Sequence, residues 1–221
     1  MKGSGSYGIL LFFVLLGIIT LSYFGILSGD ITTDRTDLYN AIFNYSNDNI
    51  NQIIIREIRL PRISMAIVAG ASLSIAGMLM QTLFQNPLAG PYVLGINSGA
   101  SLMVALGILS GMGFFMSELG LIGSALLGAF VFGLFILFTA SFLRNQISLL
   151  LFGVMLGSFV SAIITILEVS SQAEALKAFS LWSMGSLNGV TIEQLPIIIF
   201  VFLMTCVLTL FIVKPLNILV L

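Results

Sequence analysis

The run from Ile63 to Phe84 constrains this chain most: 22 residues without one charge. About 20 apolar residues cross a ~30 Å hydrocarbon core as a helix, so this run is membrane-length. Arg59-Leu60-Pro61-Arg62 precedes it and Gln85-Asn86-Pro87-Leu88-Ala89-Gly90-Pro91 follows, leading into a second Gly/Ser-rich apolar run to Ser101. Proline disfavours helical geometry in the residue before it, so Asn86-Pro87 ends the first run and the whole reads as a membrane hairpin. Ala66, Gly70, Ser74, Gly77 and Gln81 recur at helical spacing on one face. Small residues there allow another helix to approach closely, and a glutamine among them needs a partner or water.

Composition extends this to the whole chain. Of 221 residues, 58% are apolar and 8% charged, against about 25% charged in soluble domains. The expectation is an all-α, multi-pass membrane protein whose partner is the bilayer. A net charge of −1 gives no footprint for nucleic acid. With Cys206 alone, an intrachain disulfide is impossible, and the lack of histidine removes the commonest transition-metal ligand. There is no Ser/His/Asp set, no phosphate-binding G-x-x-x-x-G-K-[ST] and no Cys/His ligand spacing. No enzyme activity, metal or cofactor is therefore expected, and any ATP hydrolysis belongs to another subunit.

Six spans fit the apolar runs: Gly8–Ser28, Ile63–Phe84, Tyr92–Leu109, Leu119–Leu143, Ile147–Leu167 and Leu195–Val213, forming one transmembrane domain over 1–221. The first run is longer than a signal-peptide core and no A-x-A-like site precedes Asp30, so it reads as a retained span. The polar connection from Gly29 to Ile58 is expected to carry a short helix near Asp37–Phe43. Between the last two spans, Ala173–Phe179 can form a helix, and Trp182 suits an interface. Close-approach pairs recur as Gly95/Gly99, Gly120/Ser124/Gly128 and Gly153/Gly157/Ser161/Thr165, which implies a packed bundle.

Arg56, Arg59 and Arg62 form the sharpest charged feature. A guanidinium fork pairs bidentately with carboxylates, so the three could receive acidic residues of a soluble partner. They could equally anchor the span at lipid head groups or pair with Glu57 and nearby aspartates. Gly77 and Gln81, with Asn97-Ser98-Gly99, are candidates either for a pathway wall or for helix packing. Met78, Met80 and Met103 read as core filler.

In order, R-L-P-R, A-G-A-S-L-S-I-A-G-M-L-M-Q and Q-N-P-L-A-G-P-Y-V-L-G-I-N-S-G-A resemble the membrane subunits of ATP-driven importers for iron-siderophore complexes, haem and vitamin B12. The resemblance continues through L-W-S-M-G-S-L (181–187) and K-P-L-N-I-L (214–219). It implies a helix bundle of the vitamin B12 importer type in a bacterial cytoplasmic membrane. The implied partners are cytoplasmic ATPase subunits, an external substrate-binding protein and a second permease copy. It also implies that Arg59 and Arg62, with Arg56 beside the motif, dock the binding protein, and that Asn86, Pro87, Leu88 and Ala89 form the family's turn. A cytoplasmic N-terminus follows from the resemblance alone. With that orientation, Lys2, Arg144 and Lys214 lie inside while Arg35, Arg56, Arg59, Arg62 and Lys177 lie outside, against the positive-inside rule.

Similar permeases carry roughly ten spans, with an inverted second half and a motor-facing loop after the sixth. This chain stops at Leu221, before that loop, so the expectation is an incomplete permease that does not transport alone, or half of a split one. The rival readings are a six-span channel or secondary transporter and a non-transporting assembly subunit. The first rival needs an ionisable residue within the membrane, and none lies between Arg62 and Glu118.

Overall fold

A computed structural model describes residues 4–29, 31–92, 94–111, 117–143 and 145–220. Lys2, Asp30, Arg144 and residues 112–116 of the connection before Glu118 lie outside the described residues. Among the described residues the chain is helical and contains no strand. It divides into two compact units, Met1–Ser72 with Leu187–Ile212, and Leu73–Ser186 with Val213–Leu221. Among the described residues, five helical runs are long and apolar enough to cross a membrane: Tyr7–Leu27, Ile50–Phe84, Leu119–Ala140, Gln146–Ser170 and Leu195–Leu216.

The first unit begins with α1 (Ser4–Leu27), apolar on every side, whose outward residues have the character of a lipid-facing surface. Two short helices follow. Asp34 caps α2 (Arg35–Phe43) in a reciprocal capping box with Asp37. Asn49 caps α3 (Ile50–Ile53) by accepting from the Asn51 amide at 2.9 Å. The Asp37 carboxylate also accepts from Asn49 Nδ2 at 3.4 Å and Asn51 Nδ2 at 2.8 Å, tying the two helices together. Gln52, buried, accepts from the Ser46 amide at 2.8 Å. Residues 34–52 are thus tied together by their own amides and carboxylates.

Helical geometry then continues through a π turn (Ile54–Arg59) into α4 (Leu60–Phe84). This helical run starts at Ile50, well before the Ile63 expected from the apolar pattern. Pro61, fully buried, explains the form of the junction. Proline lacks an N–H and its ring crowds the carbonyl four residues back. The wider turn, closed by the Leu60 amide on the Ile55 carbonyl, relieves that conflict without ending the helix. The last helix, α9 (Leu195–Val220), runs on through Pro215 and contributes Leu195–Ile212 to this unit.

The second unit packs around α5 (Ile96–Leu109). Its neighbours are α6 (Glu118–Ala140), α7 (Gln146–Ser170) and α8 (Ala173–Met184). Ser117 and Asn145 cap α6 and α7 through side-chain oxygens, 3.1 Å from the Gly120 amide and 3.0 Å from the Ile147 amide. Val104, Ala105, Ile108 and Leu109 of α5 form one core with Phe179 of α8, whose ring stacks on Trp182. Phe84, Ala89, Leu94 and Ile136 form a second core. α5 is shorter than the expected Tyr92–Leu109 element. Its 14 residues reach roughly 21 Å, less than a bilayer core. Gly95, in the left-handed region at φ +76°, starts it after an irregular segment, and such backbone is tolerated at membrane depth where protein surrounds it.

Candidate functional site

The three arginines occupy three different environments. Arg59 points inward and is only 8% exposed. Its Nη1 donates to the Ile26 carbonyl at 2.7 Å and to Thr33 Oγ1 at 2.9 Å, and its Nη2 donates to the Ile31 carbonyl at 2.6 Å. Thr33 Oγ1 in turn donates to the Leu27 carbonyl at 3.3 Å. The last four carbonyls of a helix lack intrahelical donors and carry its negative partial charge. Arg59 and Thr33 therefore cap the C-terminal end of α1 from a distant point in the sequence. Gly29 makes the arrangement possible, because a Cβ there would sit 2.5 Å from Arg59 Nη2.

Arg56 is half-buried, with its guanidinium 4.1 Å from the centroid of the Tyr45 ring and its Nε 3.9 Å from Glu57 Oε1. That geometry is a cation–π contact beside a long ion pair, and neither removes the charge from solvent. Arg62 is exposed. Arg59 and Arg62 line a common cavity of about 440 Å³ whose walls include Ser28, Ile31, Ile58 and Ile63. The two arginines of R-L-P-R thus differ. Arg59 is fixed inside the unit by neutral oxygens, whereas Arg62 is exposed.

The residues considered for a pathway also separate. A Cβ at Gly77 would meet nothing within 4 Å, so that helix face is open rather than packed. Gln81 is exposed and lines a depression with Thr82, Gln85, Asn86 and Pro87. Asn97 is exposed. Ser98 and Gly99 instead belong to helix packing. A Cβ at Gly99 would overlap the Phe132 ring, one at Gly128 would overlap the Gly99 carbonyl, and one at Gly157 would lie 3.2 Å from Ser98 Oγ. Gly95 stands against the Gly153 carbonyl in the same way.

The Asn86-Pro87-Leu88-Ala89 segment is a tight turn with defined roles. Gln85 adopts φ +48°, and the Asn86 amide reaches back to the Gln81 carbonyl at 3.1 Å, closing α4 in a Schellman-type end. Asn86 Oδ1 accepts from the Leu88 amide at 2.9 Å. Ala89 is buried and Leu88 exposed.

A model of the FecCD transport family matches residues 14–221. The chain belongs to the FecCD transport family. Among its FecCD relatives, the hemin transport system permease protein HmuU of Yersinia pestis is 38% identical over 186 residues, 82% of this chain and 55% of that protein. The molybdate import system permease protein MolB of Haemophilus influenzae is 33% identical over 194 residues, 86% of this chain and 56% of that one. The solved structure of a metal-chelate type ABC transporter in an inward-facing conformation superposes with a TM-score of 0.80 at 28% identity. That superposition covers 96% of this chain and 65% of the other. The chain spans about half the length of the curated relatives it matches. Family membership and the apolar helices make it a multi-pass membrane protein of a transport family.

In this FecCD chain, sequence reasoning missed Gly29 and Thr33. A glycine and a threonine in a polar connection look like linker, and only the inward turn of Arg59 gives them a role.

Proposed function

We propose that the chain is the membrane-spanning permease part of a binding-protein-dependent ABC importer that carries a metal chelate, haem or cobalamin inward. Separate cytoplasmic subunits hydrolyse ATP, a second permease copy completes the pathway, and the N-terminus is cytoplasmic. The observation that carries this reading is the family match over residues 14–221. The similarity to HmuU and to the metal-chelate transporter supports a chelate or haem cargo. The similarity to MolB gives one specific reason to include an oxyanion among the cargoes tested.

Within that reading, Arg56 and Arg62 receive acidic residues of the binding protein, while Arg59 holds the end of α1. Gly77, Gln81 and Asn97 keep the open, mildly polar surface that a large, weakly held cargo requires. The test is reconstitution of the protein as its cell makes it, with its ATPase and binding protein, in proteoliposomes. Uptake of a siderophore chelate or haem that needs both ATP and the binding protein is expected. Uptake that proceeds without either would overturn the reading.

A further inference from the structure

We propose that the cavity shared by Arg59 and Arg62 binds the phosphate of an anionic phospholipid headgroup. Two guanidinium groups line it, and none of the described residues lining it is acidic. The ion pair found among the described residues belongs to Arg56 and Glu57, outside the cavity lining. A buried charge is costly without a counter-charge, yet Arg59 is 8% exposed and is met by two carbonyls and a hydroxyl. A guanidinium has five N–H donors. Among the described residues Arg59 directs three at protein oxygens, and Nε–H and one Nη2–H meet no acceptor there. Arg62 brings a full fork to the same space.

Position selects the source of the phosphate. The cavity lies where the membrane-length run Tyr7–Leu27 ends and where the π turn passes into α4. Headgroups sit at that level of a bilayer. The other walls are largely isoleucine, namely Ile31, Ile54, Ile58 and Ile63. Such walls suit the glycerol and upper acyl carbons of a lipid and offer nothing to a free phosphate ion. The outward side chains of α1, Phe24 and Leu21 among them, are exposed and continue the apolar surface along which the acyl chains would run. Ser28 at the cavity wall supplies a hydroxyl to a phosphate or glycerol oxygen. Binding of this kind needs neither transport nor a particular orientation in the membrane. Arg62 faces one anion at a time, so a docked binding protein and the lipid are alternatives at this residue.

The experiment offers the purified full-length protein, without a binding protein, a defined mixture of phosphatidylglycerol and phosphatidylcholine in detergent, and counts retained lipid by mass spectrometry. Phosphatidylglycerol is expected to be retained about tenfold over phosphatidylcholine, in line with one charge-assisted fork. Arg62→Gln should abolish the preference and Arg62→Lys should keep part of it. Arg56→Gln, outside the cavity, should leave it unchanged. Arg62 is exposed, so its variants keep their helicity and elution volume, which removes misfolding as an explanation. Equal retention of the two lipids, or an unchanged preference in Arg62→Gln, would overturn the proposal. Displacement of phosphatidylglycerol by inorganic phosphate would assign the site to a free ion instead. A preference that arises only in Asp30→Asn, a carboxylate close to the site in sequence, would also count against it.

Discussion

Arg59 Nη2 occupies the position that a side chain on Gly29 would need, 2.5 Å from the place of its Cβ. The two residues are 30 positions apart, and the fit between them joins the end of α1 to the turn that opens α4. Gly29→Ala should therefore lower stability by about 1–3 kcal/mol, the range for a forced overlap. In an Arg59→Gln background the same change should cost much less, because the obstructing atom is gone. A double-mutant cycle on thermal unfolding in detergent reads this coupling, and additive effects would refute the relationship.

Arg59→Gln by itself should destabilise by about 1–3 kcal/mol, since it strips donors from the Ile26 and Ile31 carbonyls. Arg59→Lys should recover part of that. An ammonium restores the charge at the end of α1 but cannot fork to two carbonyls and Thr33 together. Hydrogen exchange at the last turn of α1 locates the loss, which should be confined to the first unit.

Glycines that look alike in sequence should respond in opposite ways. Gly99→Ala drives a methyl into the Phe132 ring near its Cβ, which cannot swing aside, and should cost about 1–3 kcal/mol or more. Gly77→Ala adds a methyl to open space in a helix, and should be neutral or stabilising by up to about 1 kcal/mol. Gly77→Trp should keep the fold and reduce uptake if this face lines the pathway. Thermal stability and transport, measured on the same three preparations, separate packing from passage.

For docking, Arg56→Gln should weaken association with the binding protein about threefold to thirtyfold, and the loss should shrink as salt is raised. Stability should change little, because the long Arg56–Glu57 pair and the contact with Tyr45 are partly exposed. Binding measured by surface plasmon resonance at two ionic strengths checks both statements.

Orientation is readable by labelling. In a Cys206→Ser background, cysteines placed at Asn47 and at Asn145 should react with an impermeant maleimide from opposite faces of sealed vesicles. With a cytoplasmic N-terminus, Asn47 labels from outside. Labelling of both from one face would reject this arrangement.

Much of this was open to reading in the sequence, for reasons that differ by feature. Apolar runs announce membrane-length helices because the bilayer sets their length. The turn at Asn86-Pro87 is local chemistry. The inward course of Arg59 is not local, since it depends on how far the helix has rotated at that point, and R-L-P-R records charge without direction. Gly77 and Gly99 show the same limit. A small residue on a helix face states that a neighbour could come close, but only tertiary structure shows whether one does.

The π turn at Ile54–Arg59 fits one more residue into the helix than an α-helical path would hold. One residue is worth about 100° of rotation, so the faces of α3 and α4 are offset by that angle. Deleting a residue here would leave a continuous helix, yet it would swing Asn49 and Asn51 away from Asp37 and turn Arg59 out of the end of α1. The count of residues in this segment, more than their identity, sets the phase in which the polar cap and the arginines meet.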